Sequence, residues 1–370
     1  MGTNLSHSQL SRYQMCGYSY KLHYIDKIRP VVTHAALLFG SALDSALNIL
    51  LTENDKENKS EREFEKTFTL SKINDKEVYL PTNISLVYSN SDYDSDLFTQ
   101  DDYSFIAETI KESQLPQHTD YLEVYKQLHD KKREQGFDSL KDEDKAFYNL
   151  MNWTCLRRKG FIMLVSYRKK VLPRIKKVHE VQRKVSLGNN DGDNIIGFVD
   201  LIADVIGYER PVILDNKTSS IEYETDAVLT SPQLSLYTHI LEQEYKTRHA
   251  GFIVLRKQII KNKQKICSKC GHDGSGGRHK TCDNIIESKR CNGEWIEKCF
   301  PEAAVQFLVD EIPNATEALV MENVDDINAA IKAGHFTKNL NSCTNWYGGK
   351  CSHFELCYKG SMKGLEYAKK

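Results

Sequence analysis

Apolar positions recur along this chain with two periods, and the change from one to the other divides it. Residues 35–51 repeat Leu38, Ala42, Ala46 and Ile49 at helical spacing, which predicts an amphipathic helix. Gly40 falls inside it, either a tolerated cost or a place of close packing. A short helix is expected over 6–20, with an extended piece following to Pro30, whereas 52–119 reads as polar and irregular. Helical runs return over 122–128 and 142–171, the second carrying Phe147, Met151, Trp153, Phe161 and Leu164. The period then drops to two. Residues 179–187 alternate as a strand, and 195–206 and 212–217 are apolar or β-branched on either side of Gly207-Tyr208-Glu209-Arg210-Pro211, a turn that makes them a hairpin. A helix over 232–244, a strand over 250–256 and an amphipathic helix over 301–320 complete the pattern. Strands in succession with helices before and after them predict an α/β or α+β fold around a central sheet.

Composition adds little to this picture. With 370 residues, 40% of them hydrophobic and 27% charged, the chain can bury a sizeable core. Fifty Lys and Arg against fifty-one Asp and Glu say nothing for or against a nucleic-acid partner. No apolar run reaches the roughly 18 residues of a spanning helix, and the N-terminus lacks the apolar core of a secretory signal. No membrane partner is expected, and the expected location is the cytoplasm. The acidic stretch from Ser91 to Asp96 has the look of a calcium loop, but Leu97 and Tyr103 stand where such a loop needs Gly and Glu, so a solvated loop is expected.

Chemistry concentrates in carboxylates and thiols. Asp200 precedes the hairpin turn and Asp215-Asn216-Lys217 follows it, so in an antiparallel pair the two carboxylates can face one point. There they would hold a divalent metal, with Lys217 beside them to orient a water or steady charge on a phosphate. An Asp-x-Lys triplet alone is more often a salt-bridged strand end. Ten cysteines in a reducing compartment are thiols available to metals. Cys267-Ser268-Lys269-Cys270, with Cys282 and Cys291, has the two-residue knuckle of a zinc ribbon, although His272 or His279 could replace a thiolate. Around it, from Arg256 to Lys298, eleven Lys or Arg face five Asp or Glu. That local excess suits phosphate contacts; a solvated structural insertion explains it equally well. Cys343, Cys351 and Cys357 form a second group near the C-terminus, with Cys16 as a distant fourth candidate, while Cys155 and Cys299 read as buried thiols.

The ordered set Gly40-x-x-x-Asp44, Gly197-x-x-Asp200, Asp215-x-Lys217 and Gln233-x-x-x-Tyr237 resembles the RecB-like branch of the PD-(D/E)xK nuclease family, which includes AddB-type and CRISPR-associated exonucleases. The opening helix ending in Cys16 resembles it too, and the likeness extends over most of the chain. It implies a restriction-endonuclease-like mixed central sheet flanked by helices, with a helical N-terminal part (1–177), a nuclease core (178–263 and 298–340), an inserted zinc ribbon (264–297) and a cysteine-rich C-terminal segment (341–370) packing with Cys16. By the resemblance, Asp200, Asp215, Lys217 and an acid on the preceding strand are catalytic: Glu180, with Gln182 as the alternative alignment. Asp44 stands where relatives carry a metal-binding His, so Asp44, Asp200, Asp215 and the Asn216 carbonyl would hold Mg²⁺ or Mn²⁺. Gln233 and Tyr237, four apart on a helix and so on one face, would help position DNA. Cys16, Cys343, Cys351 and Cys357 would hold a [4Fe–4S] cluster or, because the first spacer is longer than in relatives, a second zinc. The implied activity is metal-dependent exonucleolytic hydrolysis of DNA, at ends or on single strands, in recombination, repair or replication, beside a helicase or recombinase. A structure-specific endonuclease, or an inactive DNA-binding scaffold working through the ribbon, remain the alternatives. No helicase phosphate loop is present.

Overall fold

The computed structural model describes residues 4–31, 33–52, 58–68, 71–73, 76–78, 86–87, 93–188, 194–274, 280–344 and 350–368; Ser91, Asp92 and His279 lie outside them. A six-stranded mixed sheet organises the protein. Its strands are β1 (Asn4–Ser6), β2 (Ile175–Gly188), β3 (Asn194–Val205), β4 (Val212–Ser219), β5 (His249–Cys267) and β6 (Trp295–Glu311). One edge of β3 is covered along its length by antiparallel β2. The other edge is shared: β1 pairs parallel with residues 194–196, and β4 pairs antiparallel with 201–203. Residues 197–200 lie in the gap between those two partners, and Asp200 sits at its end. Beyond β4 comes parallel β5 and then antiparallel β6.

Both faces of the sheet are buried, because neighbouring strand residues point opposite ways. The longer helices among the described residues are α1 (His7–Met15), α2 (Ala35–Thr52), α3 (Lys59–Thr67), α4 (Gln100–Glu112), α5 (Tyr121–Gln135), α6 (Asp142–Lys170), α7 (Pro232–Tyr245) and α8 (Asn314–Lys332). Phe39 and Leu47 of α2, Phe64 of α3 and Trp153 of α6 pack with Leu214 and Ile253 on one face. On the other, Leu234 and Leu241 of α7 meet Ile213 and Phe252. As the crossover from β4 to β5, α7 lies against the middle of β4, which bears Asp215. The N-terminal half of α6 serves a second cluster, where Phe147 and Leu150 join Ile106 of α4 and Leu128 of α5. That double duty explains why α6 is buried nearly all round.

Three expectations change. The polar stretch after residue 52 contains α3 and α4; α3 buries only Ser60 and Phe64, too few apolar residues to show a period. The start of α4 was marked by a capping box, with Thr99 and Asp102 reciprocating. Residues 301–320 are not one helix but the end of β6 followed by α8. Ala303, Val305, Phe307 and Val309 alternate and pack on the core, so a period of two was present beneath an Ala- and Glu-rich composition. Lastly, α2 is an 18-residue helix of mean hydropathy 1.5, long and apolar enough by length and composition to cross a membrane. Its Phe39, Leu43, Leu47 and Leu50 are instead buried in the protein's own core.

Beyond the sheet β5 and β6 continue as a two-stranded arm, paired as far as Cys267 with Trp295, and the ribbon forms its tip. At the opposite end of the sequence, Ile28–Pro30 pairs antiparallel with Leu365–Tyr367, joining the two ends of the chain.

Candidate active site

Asp44 from α2, Gln182 from β2, Asp200 from β3 and Asp215 with Lys217 from β4 converge beside the gap in the sheet. Gln182 Nε2 donates to both carboxylate oxygens of Asp44 at 3.2 Å and to Asp200 Oδ1 at 3.1 Å. The Asn216 backbone N–H donates to Asp200 Oδ2 at 2.7 Å. Asp215 is 2% exposed. Its Oδ1 accepts from Gln233 Nε2 at 2.8 Å, and its Oδ2 forms an ion pair with Lys217 Nζ at 2.6 Å. Gln233 Oε1 accepts in turn from Lys217 at 3.0 Å. The tyrosine four residues along completes the brace: Tyr237 hydroxyl accepts from Gln233 at 3.0 Å and donates to the Phe198 carbonyl at 2.8 Å, inside the gap. Its ring lies so close to Gly197 that a Cβ there would approach Tyr237 Cε1 to 2.6 Å. Glycine before Asp200 and tyrosine after Gln233 are therefore two halves of one contact.

Electrostatics mark the cluster as short of positive charge. Burial, then Asp215 and Asp44, push the Asp200 pKa up to about 8. Burial and Asp215 push Asp44 up to about 6. Asp215 is also raised by burial, with Lys217 and Gln233 pulling against the rise. Burial works against the Lys217 charge, but Asp215 and Asp200 outweigh it and hold its pKa above the ordinary lysine value. Several carboxylates of raised pKa against one contacting ammonium are what a divalent cation would neutralise.

Sequence reading placed one residue elsewhere and missed others. Glu180 turns away from the cluster: Arg183 Nη1 donates to its oxygens at 3.0 and 2.9 Å, and Tyr245 donates to it at 2.7 Å. Gln182, the alternative alignment, is the residue that reaches the carboxylates. Its φ of +52° puts a left-handed residue inside a strand, strain that concentrates at functional sites. Gln233 and Tyr237 lie behind the carboxylates, with Tyr237 5% exposed. Tyr167 of α6 was not foreseen, yet its hydroxyl donates to Asn216 Oδ1 at 3.4 Å. Nor was His7, whose pKa is lowered by burial and by the Lys217 charge. Neither carries a local signal; both arrive through packing.

The sequence profile of the PD-(D/E)XK nuclease superfamily matches residues 4–89 and 103–357. The chain belongs to this superfamily. No individual curated protein matches it. PD-(D/E)XK proteins are in general metal-dependent nucleases that use divalent ions such as Mg²⁺, in keeping with the charge deficit at Asp44, Asp200 and Asp215.

Two cysteine groups flank this PD-(D/E)XK core. The sulfurs of Cys267, Cys270, Cys282 and Cys291 all lie within 4.8 Å of one another, close enough for four thiolates to surround one zinc at about 2.3 Å. Gly271, at φ +69°, makes the turn after the knuckle. A Cβ at Gly293 would come within 2.4 Å of Cys267 Sγ, so that glycine makes room for the sulfur. Part of the basic excess is already engaged: Lys261 pairs with Asp94 and Asp96 at 2.9 and 2.8 Å, and Lys263 with Glu297 at 2.9 Å. Cys16, Cys343, Cys351 and Cys357 line a different cavity of about 140 Å³. Burial raises the Cys357 thiol pKa, and the other three sulfurs add to the rise. Cys155 is buried as expected, whereas Cys299, on the arm, is exposed.

Proposed function

We propose that this protein is a metal-dependent deoxyribonuclease, and more narrowly a RecB-like exonuclease serving DNA recombination, repair or replication. The supporting observation is the convergence of Asp44, Asp200, Asp215 and Lys217 on one partly buried point, braced by Gln182 and Gln233. In this reading Asp44, Asp200 and Asp215, with the Asn216 carbonyl, hold Mg²⁺ or Mn²⁺. Bound there, the ion supplies Lewis-acid stabilisation of the scissile phosphate and lowers the pKa of a water. Lys217, kept protonated by Asp215, orients the attacking water and steadies the charge that develops on the phosphate. Gln233 fixes Lys217 and Asp215 relative to each other; Tyr237 fixes Gln233. Gln182 holds Asp44 and Asp200 together without adding charge.

The ribbon cysteines take Zn²⁺ in this account, and the remaining basic residues of the arm contact DNA phosphates. Cys16, Cys343, Cys351 and Cys357 take a [4Fe–4S] cluster with a structural role. Among the described residues only the ribbon sulfurs gather within the zinc distance, while the second group surrounds a cavity, as a larger cofactor requires. ATP-driven unwinding would come from a separate helicase.

Linear and circular DNA, labelled separately at each end and supplied with Mg²⁺ or Mn²⁺, test the reading. Degradation confined to linear DNA is expected, falling about a hundredfold or more in Asp215→Ala and Lys217→Ala, the scale of removing a catalytic group. Cleavage of closed circles would make it an endonuclease; parental rates in folded variants would sink the nuclease assignment.

A further inference from the structure

The two faces of the β5–β6 arm are engaged differently. Cross-strand partners share a face, so the register sets Lys261, Lys263 and Lys265 on one side with Pro301, Cys299 and Glu297. Ile260, Asn262, Gln264 and Ile266 lie on the other with Glu302, Phe300, Lys298 and Ile296. On the first side Lys261 pairs with Asp94 and Asp96, and Lys263 with Glu297. The second side is apolar and open. Ile260 and Ile296 are each 45% exposed and Phe300 is 38% exposed. Single exposed apolar residues are ordinary, whereas a row of them on one face marks an interaction surface.

The row has an order. Ile266 stands opposite Ile296 near the tip, Ile260 and Phe300 lie diagonally across from each other toward the core, and Gln264 and Lys298 separate the two pairs. Glu302, at the inner end, is engaged by Lys170 at 3.1 Å and by Asn262 at 3.4 Å. Lys298 makes no ion pair among the described residues; its Nζ lies over the Phe300 ring, 5.6 Å from the centroid. An uncompensated positive charge therefore sits at the centre of an apolar row. That charge selects the occupant. A second copy of the face, stacked about a two-fold axis centred there, would bring one Lys298 against the other. Nucleic acid would satisfy Lys298 but leave the isoleucines against phosphate and water. A carboxylate with an apolar side chain on either side meets all of them. Ile296 and Phe300 are four residues apart on a strand, about 13 Å, and an extended segment repeats that spacing with apolar residues at i and i+4 and the acid at i+2.

We propose that this face of the arm docks an extended acidic segment of a partner protein, its two apolar side chains over Ile296 and Phe300 and its carboxylate on Lys298. The basic excess of the arm steers such a segment toward it. The test is fluorescence anisotropy on the full zinc-loaded chain with a labelled heptapeptide of threonine carrying isoleucine at its second and sixth positions and aspartate at its fourth. Saturable binding is expected, about tenfold tighter than that of the same peptide with lysine at the fourth position, the scale of one charge pair. Lys298→Glu should reverse the preference, and the double variant Ile296→Ser, Phe300→Ser should weaken the aspartate peptide about tenfold or more, as loss of buried apolar area requires. No saturable binding of that peptide, or equal binding of both peptides, would overturn the docking site. Blunt-duplex binding that falls in the double variant while peptide binding holds would give the face to nucleic acid, and self-association abolished by the double variant would give it to a second copy; either overturns the proposal. Parental zinc content and melting temperature show that the arm is intact in each variant. Should the double variant fail to fold, the charge reversal at exposed Lys298 decides alone.

Discussion

The ribbon and the clamp at the chain ends each assemble four cysteines, and they do so by different physics. The ribbon's four fall within about 25 residues of sequence and at the tip of an arm, with their sulfurs within 4.8 Å of one another. Local turns bring them together. The clamp draws Cys16 from just after α1 and Cys343, Cys351 and Cys357 from the other end of the chain, around a cavity of about 140 Å³. It cannot form until the core has placed both ends. Protein contacts prepare it: fully buried His353 receives a hydrogen bond from Ser19 at 3.3 Å and donates one from Nε2 to the Ile28 carbonyl at 3.0 Å. The first group is therefore assembled locally, whereas the second depends on the whole fold.

The largest test of that contrast is Cys16→Ser. Treated as a cross-link, the clamp closes a loop of more than 300 residues, for which the chain-entropy model gives about 5–6 kcal/mol. Loss of iron, of absorbance near about 400 nm and of many degrees of melting temperature together are expected. A colourless parent containing only zinc would remove the cluster from the account. Next comes Cys270→Ser, where a loop of about 25 residues corresponds to about 3–4 kcal/mol, confined to the tip. Zinc content should fall while the core melts as before, and DNA binding should lose part of its salt dependence if the ribbon touches phosphates. A lowered core melting temperature would show that the ribbon is no separate module.

How much of this could be read in the sequence follows the same division between local and assembled. The ribbon was legible because Cys-x-x-Cys with a glycine behind it is a complete local instruction. So was the hairpin that carries Asp200 and Asp215. Gln182 was only half legible, since alternation along β2 does not show which residue adopts a left-handed φ and turns to the carboxylates. Tyr167 was invisible for a different reason: on α6, buried nearly all round, a tyrosine whose hydroxyl reaches Asn216 looks like any core aromatic. The split of 301–320 into β6 and α8 was missed because composition was weighed above the alternation of Ala303, Val305, Phe307 and Val309. The order of motifs, more than any one of them, pointed to the candidate site.

A smaller perturbation asks whether the clamp is held by its thiols or by protein contacts. His353→Gln leaves the cysteines in place but cannot meet both Ser19 and the Ile28 carbonyl, and a buried carbonyl without its donor costs about 1–3 kcal/mol. A drop in melting temperature well short of that in Cys16→Ser is expected, with iron content retained. An equal drop, iron still bound, would transfer the stabilisation from the cysteines to the histidine.

Acid separates the two regions most finely. Burial first, then the charges of Arg12, Arg29, His353 and Lys27, hold the His23 pKa down to about 4, against 6.5 for an ordinary histidine. Between those values the unfolded chain binds a proton that the folded one refuses. Stability from the neutral imidazole is thus complete above pH 6.5 and is lost as the pH falls through about 4. The ribbon is also acid-sensitive, because its thiolates must shed protons to hold zinc, so the measurement belongs in Cys270→Ser protein, where that contribution is gone. Melting temperature there should decline from pH 7 toward pH 4, and adding His23→Gln should flatten the decline. A slope that survives the glutamine would take the acid sensitivity away from His23 and leave it with other groups of depressed pKa, such as His353.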